Sequence, residues 1–181
     1  MNSFESIVKT IFENKGYWVK TSFKVELTKA EKRRIDRPSS PRWELDVVAY
    51  KGASNELLVV ECKSYLDSTG VKADELMNAR RPNRYKLFND KRLRDVVFAR
   101  LLAQMVKLGL CRKNTSPKLC LAAGKIATEK DEKVLAKHFN AKGWGFYPNA
   151  WIEKELRNLS RAGYEDDVAI VTTKLLTRNK R

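Results

Sequence analysis

Residues 43–63, WELDVVAYKGASNELLVVECK, decide how this chain is read. Two β-like runs, Glu44–Tyr50 and Glu56–Lys63, flank a short break that contains Gly52, and this is the pattern of a hairpin. Side chains alternate along a strand, so Glu44, Asp46 and Val48 are expected on one face of the first run. By the same rule Leu57, Val59, Glu61 and Lys63 share one face of the second. Charged groups at the end of otherwise apolar strands need partners, because burying them alone is costly. Glu61 and Lys63 can satisfy each other. Asp46 on the facing strand adds a second carboxylate, and two converging carboxylates beside a lysine can hold a divalent cation.

Working outward toward the amino terminus, Phe4, Ile7, Val8, Ile11 and Phe12 fall at the spacing of one buried helical face, with Ser3 as the expected cap and Gly16 as the stop. Glu5 lies at the edge of that stripe, beside Phe12, where a carboxylate can look toward the sheet. The next run, Tyr17–Leu27, reads as a strand with Tyr17, Val19, Thr21, Phe23 and Val25 on its apolar face. Lys20, Ser22 and Lys24 then line the other face, either meeting phosphates or standing in water. Residues 29–42, KAEKRRIDRPSSPR, read as a loop placed directly before the first hairpin strand. Its cations Lys32, Arg33, Arg34, Arg37 and Arg42 either close on a nucleic-acid backbone or form a solvated connector.

Beyond Lys63 the chain is expected to turn through Gly70, form a short helix and break at Pro82. Arg80, Arg81, Arg84, Lys86 and Arg92 then occur in a basic stretch interleaved with Tyr85 and Phe88. Such mixing suits phosphate contact combined with stacking, although long cationic side chains also cover helix surface with their stems. A long helix over Asp90–Leu108 carries enough apolar residues to be central. A strand over Lys118–Ala123 follows, then a helix that starts at Thr128 and Asp131 and stops at Gly143, and a strand over Trp144–Tyr147. Two closing helices, Ala150–Ala162 and Asp167–Arg178, end the chain, with Trp144 and Trp151 as core anchors.

The 181 residues are enough for one domain with a full core, and a hydrophobic share of 43% fits a globular fold. The 37 Lys+Arg against 22 Asp+Glu give a net charge of +15, which favours a polyanionic partner, nucleic acid first. No apolar run of membrane-spanning length occurs and the amino terminus lacks the layout of a secretion signal, so the expectation is a cytoplasmic protein with no membrane partner. Cys62, Cys111 and Cys120 have no CxxC spacing and sit beside apolar residues, so buried thiols are expected rather than a zinc site. One histidine, His138, cannot serve as both base and metal ligand, and it falls within a helical pattern.

Asp46, followed fifteen residues later by Glu61-Cys62-Lys63 at the end of an apolar strand, resembles the signature of the PD-(D/E)XK nuclease superfamily. Leu45 stands where the family name has proline. The resemblance implies a restriction-endonuclease-like α/β fold, an αβββαβ core with a mixed central sheet flanked by helices, over about residues 2–123. Residues 124–181 would then be a C-terminal helical extension of the same single domain. It also implies a metal-dependent DNA endonuclease, with Asp46, Glu61 and the Cys62 backbone carbonyl holding Mg²⁺, Mn²⁺ being able to substitute. Lys63 would orient the attacking water or stabilise charge. A glutamate on the first helix completes the site in many members; Glu5 is the candidate here, its alternative being an acid favoured by the helix dipole. Glu44 is a further ligand candidate or the partner of Arg42. Double-strand cleavage would call for a homodimer or a partner subunit. The competing expectation is an inactive nucleic-acid-binding module or accessory subunit with the same fold.

Overall fold

The computed structural model of the chain describes residues 2–37, 42–78, 84–161, 163 and 166–178. In chain order the elements are α1 (Ser3–Asn14), β1 (Trp18–Val25), α2 (Lys29–Arg34), β2 (Trp43–Lys51), β3 (Glu56–Lys63), α3 (Ala73–Met77), α4 (Lys86–Asn89) and α5 (Lys91–Lys107). They continue with β4 (Pro117–Ala123), α6 (Glu129–Lys142), β5 (Gly145–Tyr147), α7 (Asn149–Leu159) and α8 (Val168–Thr177). The five strands form one mixed sheet in the order β1-β2-β3-β4-β5. The hairpin is present: β2 is antiparallel to both β1 and β3. β4 lies parallel to β3, reached by the crossover through α5, and β5 lies parallel to β4 after α6.

Helices cover both faces of the sheet, which explains why β3 and β4 read as nearly continuous apolar runs. On one face Phe4, Val8, Ile11 and Phe12 of α1 pack with Ile152 and Leu159 of α7 and Ile170 of α8 over Val47, Leu58, Val60 and Cys120. On the other, Leu93, Val97, Leu101 and Met105 of α5 join Leu135 and Phe139 of α6 over Val48, Leu57, Val59 and Leu121. Residues beyond 123 are therefore more than a helical appendage. β5 extends the sheet, and α7 and α8 complete the core against α1.

The cap of α1 is Asn2 rather than Ser3. Its side-chain oxygen accepts from the Glu5 backbone N–H at 2.9 Å, and the Glu5 carboxylate accepts from the Asn2 N–H at 3.2 Å, a reciprocal capping box. A second capping box corrects the expectation of a loop for residues 29–34, which are helical; Pro38, Ser39, Ser40 and Pro41 of that expected loop lie outside the described residues. Thr28 and Glu31 cap α2, whose following residue Ile35 is buried. Glu31 also takes a bidentate contact from Arg100 of α5, at 2.7–3.0 Å, which pins α2 to the long helix. Burial acts to raise the Glu31 carboxyl pKa, but the Arg100 and Thr28 hydrogen bonds outweigh it and hold the value below the usual range. A carboxyl lowered on folding stabilises the fold above its unfolded pKa, and that stabilisation fades as pH falls through the folded value. Glu31→Gln should accordingly cost about 1 kcal/mol at pH 7. In urea melts across pH, the deficit should shrink as pH falls through the carboxylate range; a deficit independent of pH would contradict this reading.

Strict alternation also fails at one level of the sheet. In β1, Val19 packs on the α1 side whereas Phe23 and Val25 pack on the α5 side. In β2, Leu45 and Val48 face α5 while Val47 and Ala49 face α1. Glu44, Asp46 and Val48 therefore do not share one face, and neither do Val19 and Phe23. The expected alternation assumes β backbone throughout, and Ser22 departs from it with φ 49°, in the left-handed region.

Candidate active site

The hairpin ladder runs from Lys51↔Glu56 to Val47↔Val60 and stops there. Past that point β3 remains paired on its other edge to β4, through Glu61↔Leu121 and Lys63↔Ala123, while β2 diverges. The Asp46 side chain bridges the opening: its Oδ2 accepts from the Cys62 backbone N–H at 2.8 Å. Alternation along β3 puts Glu61 and Lys63 with Leu57 and Val59, and the Lys63 Nζ lies 2.6 Å from Glu61 Oε1. The simple pairing of these two residues is thus present, with Asp46 beside it. Just beyond, the Gly124 N–H donates to the Lys63 carbonyl at 2.9 Å, tying the end of β4 to the end of β3.

The electrostatics of this corner are opposite to those of the whole protein. Burial raises the Glu61 carboxyl pKa, Asp46 and Glu5 push it the same way, and Lys63 opposes them. For Lys63, burial disfavours the ammonium, but Glu61 and Asp46 more than compensate and hold its pKa above the ordinary value. Three carboxylate residues and one amine therefore share a neighbourhood in a chain of net charge +15, an arrangement that favours an added cation. Cys62 is buried, and desolvation together with Asp46, Glu5 and Glu61 keeps its thiol pKa well above normal, which disfavours the thiolate.

Does this donor set suit a hard divalent ion? Among the described residues no group of three or more His, Cys, Asp or Glu side chains could hold a metal. The available protein donors are the Asp46 and Glu61 carboxylates and the Cys62 carbonyl. Mg²⁺ fits such a set, since it takes few protein carboxylates and keeps several waters or phosphate oxygens. A thiolate- or imidazole-seeking ion does not fit. Glu5 is engaged in the α1 capping box, with Oε1 also 2.7 Å from Asn2 Nδ2, and contributes charge at the corner. Glu44 is exposed on β2, and Arg42 pairs with Glu26 at 3.5 Å rather than with Glu44.

The basic candidates divide. Arg33 and Arg34 at the end of α2 are exposed and Lys32 is half-buried. Arg37 stacks on Trp43 with 5.5 Å to the ring centroid, and Arg92 is exposed and lies 3.3 Å from Asp36. Lys86 is half-buried in α4. Arg80 and Arg81 fall outside the described residues. The expected aromatic interleaving does not form a stacking surface, because Tyr85 and Phe88 are core residues, 1% and 6% exposed. Burial of large rings against α5 and α6 prevails over their sequence proximity to the charges.

One residue escaped the sequence reading. Tyr65 follows the Glu61–Lys63 pair by two positions, has a left-handed φ of 45° and acts electrostatically on Lys63. The exposed Arg84 guanidinium sits 5.7 Å from its ring centroid, which brings one basic candidate to the edge of the carboxylate corner. An aromatic next to a charged strand end was the available signal. Among the described residues no helix is long and apolar enough to cross a membrane. Comparison with protein-family models, with curated proteins and with solved structures gives no match.

Proposed function

We propose that the chain is a Mg²⁺-dependent DNA endonuclease with a restriction-endonuclease-like core. The observation that carries this reading is the convergence of Asp46, Glu61 and Lys63 where β2 and β3 part. The chain order α1, β1, β2, β3, α5, β4 agrees with an αβββαβ core, α2, α3 and α4 being insertions between its members. The positive net charge supplies general attraction to nucleic acid, and the acidic corner is a local exception suited to a cation.

In this reading Asp46 and Glu61, with the Cys62 carbonyl, hold Mg²⁺, whose contribution when bound is Lewis-acid polarisation of the phosphate and neutralisation of developing charge. Lys63 places its ammonium beside the phosphate, where it orients the attacking water and stabilises negative charge growing on the phosphoryl oxygens. Arg84, held over Tyr65, lies at the rim and takes a neighbouring phosphate. One such site cuts one strand, so a double-strand cut requires a homodimer or a partner subunit.

A second reading is favoured by a specific observation: the Glu61–Lys63 contact and the Asp46–Cys62 hydrogen bond satisfy these groups without any ion. It makes the protein a non-cleaving DNA-binding module. Incubating the chain with supercoiled, linear and branched DNA, with and without Mg²⁺ or Mn²⁺, separates the two. Metal-dependent strand scission supports the endonuclease. Tight binding with no scission of any of the three DNA forms supports the module.

Both readings predict salt-sensitive binding. Arg84→Ala should weaken duplex binding and reduce the magnitude of the log K against log[salt] slope by about 1. An unchanged slope in fluorescence anisotropy titrations would place the DNA path elsewhere.

A further inference from the structure

We propose that Ser22, a residue of the neighbouring strand, aims Asp46, and that its left-handed backbone is the device that opens the carboxylate corner. The consequence for metal binding rests on the endonuclease reading; the structural part does not.

The pairs Thr21↔Val47 and Phe23↔Leu45 flank Ser22 and Asp46, so these two residues lie opposite each other on adjacent strands. The register is the same on both sides of this rung, and nothing has been inserted in either strand. Yet both strands change faces there. Val19 belongs to the α1-side core and Phe23 to the α5-side core, although residues four apart in a regular strand share a face. Leu45 and Val47 are likewise split between the two cores, although they are two apart. A change of face without an added residue requires backbone outside the β region. Ser22, with φ 49°, provides it in β1, and β2, in which no residue has a positive φ, changes face at the rung paired with it.

The same rung is where β2 leaves β3. The last hairpin pair is Val47↔Val60, and the next amide on the β3 side, that of Cys62, is taken by the Asp46 side chain. A regular β2 would continue the ladder and send Asp46 to one face of the sheet by alternation. With both strands rotated at the Ser22 level, the Asp46 carboxylate lies instead against the β3 backbone, next to the Glu61–Lys63 pair. Ser22 touches none of the reacting groups in this scheme and acts through Asp46, so it is a positioning residue. Strain held near a functional group is a recurrent way of aiming it.

Substitution at Ser22 tests this through the Cys62 amide. Glycine adopts positive φ freely, alanine less so, and β-branched valine hardly at all. Hydrogen exchange of the Cys62 amide is measured by NMR on the full chain for wild type, Ser22→Gly, Ser22→Ala and Ser22→Val, and Mg²⁺ alone is titrated into each. Ser22→Gly is expected to keep the Cys62 amide protected and Mg²⁺ affinity intact. Ser22→Val should lose about tenfold or more in both, with Ser22→Ala between them. Wild-type protection in Ser22→Val overturns the proposal; loss of protection with measurable but unchanged Mg²⁺ affinity upholds the aiming of Asp46 and overturns its consequence for the metal. Where Ser22→Val does not fold, equal Cys62 protection in Ser22→Ala and Ser22→Gly overturns it. Protection that follows the series in a protein with no Mg²⁺ binding at all upholds the role of Ser22 and defeats the endonuclease reading instead.

Discussion

Asp46→Ala and Lys63→Ala are each expected to lower DNA cleavage by about a thousandfold or more while DNA affinity stays within about twofold. Neither side chain belongs to the exposed basic surface, so removing it leaves the phosphate-binding cations in place. The two substitutions act differently on the site. Asp46→Ala removes a carboxylate and strands the Cys62 N–H, and a buried donor left unpaired costs about 1–3 kcal/mol of stability. Asp46→Asn retains an oxygen acceptor for that N–H but has no charge for a cation, so it separates the two roles. It should unfold close to wild type and still fail to cleave. Lys63→Ala deprives the half-buried Glu61 of its ion-pair partner, which pushes the Glu61 carboxyl further toward its neutral form. Single-turnover cleavage and anisotropy binding measured side by side decide the matter; full cleavage by either alanine variant is incompatible with the proposed chemistry.

The second large effect is expected from Gly124→Ala. A Cβ on Gly124 would lie 2.4 Å from the backbone oxygen of Ser64 and 3.2 Å from the Phe4 ring. The first neighbour is backbone and cannot rotate away, so the segment after Lys63 must shift. Overpacking of this kind costs about 3 kcal/mol. For a chain of this size that corresponds to a fall in Tm of roughly 6–12 °C. The shift also acts on the site, because the Gly124 N–H holds the Lys63 carbonyl and Lys63 holds Glu61. Calorimetry and cleavage assays should therefore show both losses together, and a variant with wild-type Tm would show that the end of β4 yields without strain.

How much of this was legible in the sequence follows from what each signal depends on. The hairpin was legible because apolar strands and a Gly52 break are local features, and α1 and α5 because helical periodicity is local too. Asp46, Glu61 and Lys63 were found together because the spacing of a hairpin fixes which residues meet. Strand faces were not legible near Asp46, because a positive φ at Ser22 carries no compositional mark of the kind glycine leaves. The Thr28–Glu31 capping box was present in the text of the sequence, but the prolines and cations that follow it gave the segment a loop-like composition. Its partner Arg100 lies on a distant helix, beyond any local pattern. Tyr85 and Phe88 stand among basic residues in sequence, and only the tertiary packing of α4 on α5 and α6 shows that their rings are interior. The roles of β5, α7 and α8 were hidden for the same reason, since the faces they cover belong to elements far away in the chain.

The proposed chemistry requires that Asp46, Glu61 and the Cys62 carbonyl form a pocket for a hard cation beside Lys63. Anomalous diffraction from crystals soaked in Mn²⁺ addresses it directly. A peak is expected at coordination distance from both carboxylates and that carbonyl, with Glu61 drawn away from its contact with Lys63. A Mn²⁺ peak elsewhere, or none at this corner under conditions in which the same preparation cleaves DNA, would contradict it.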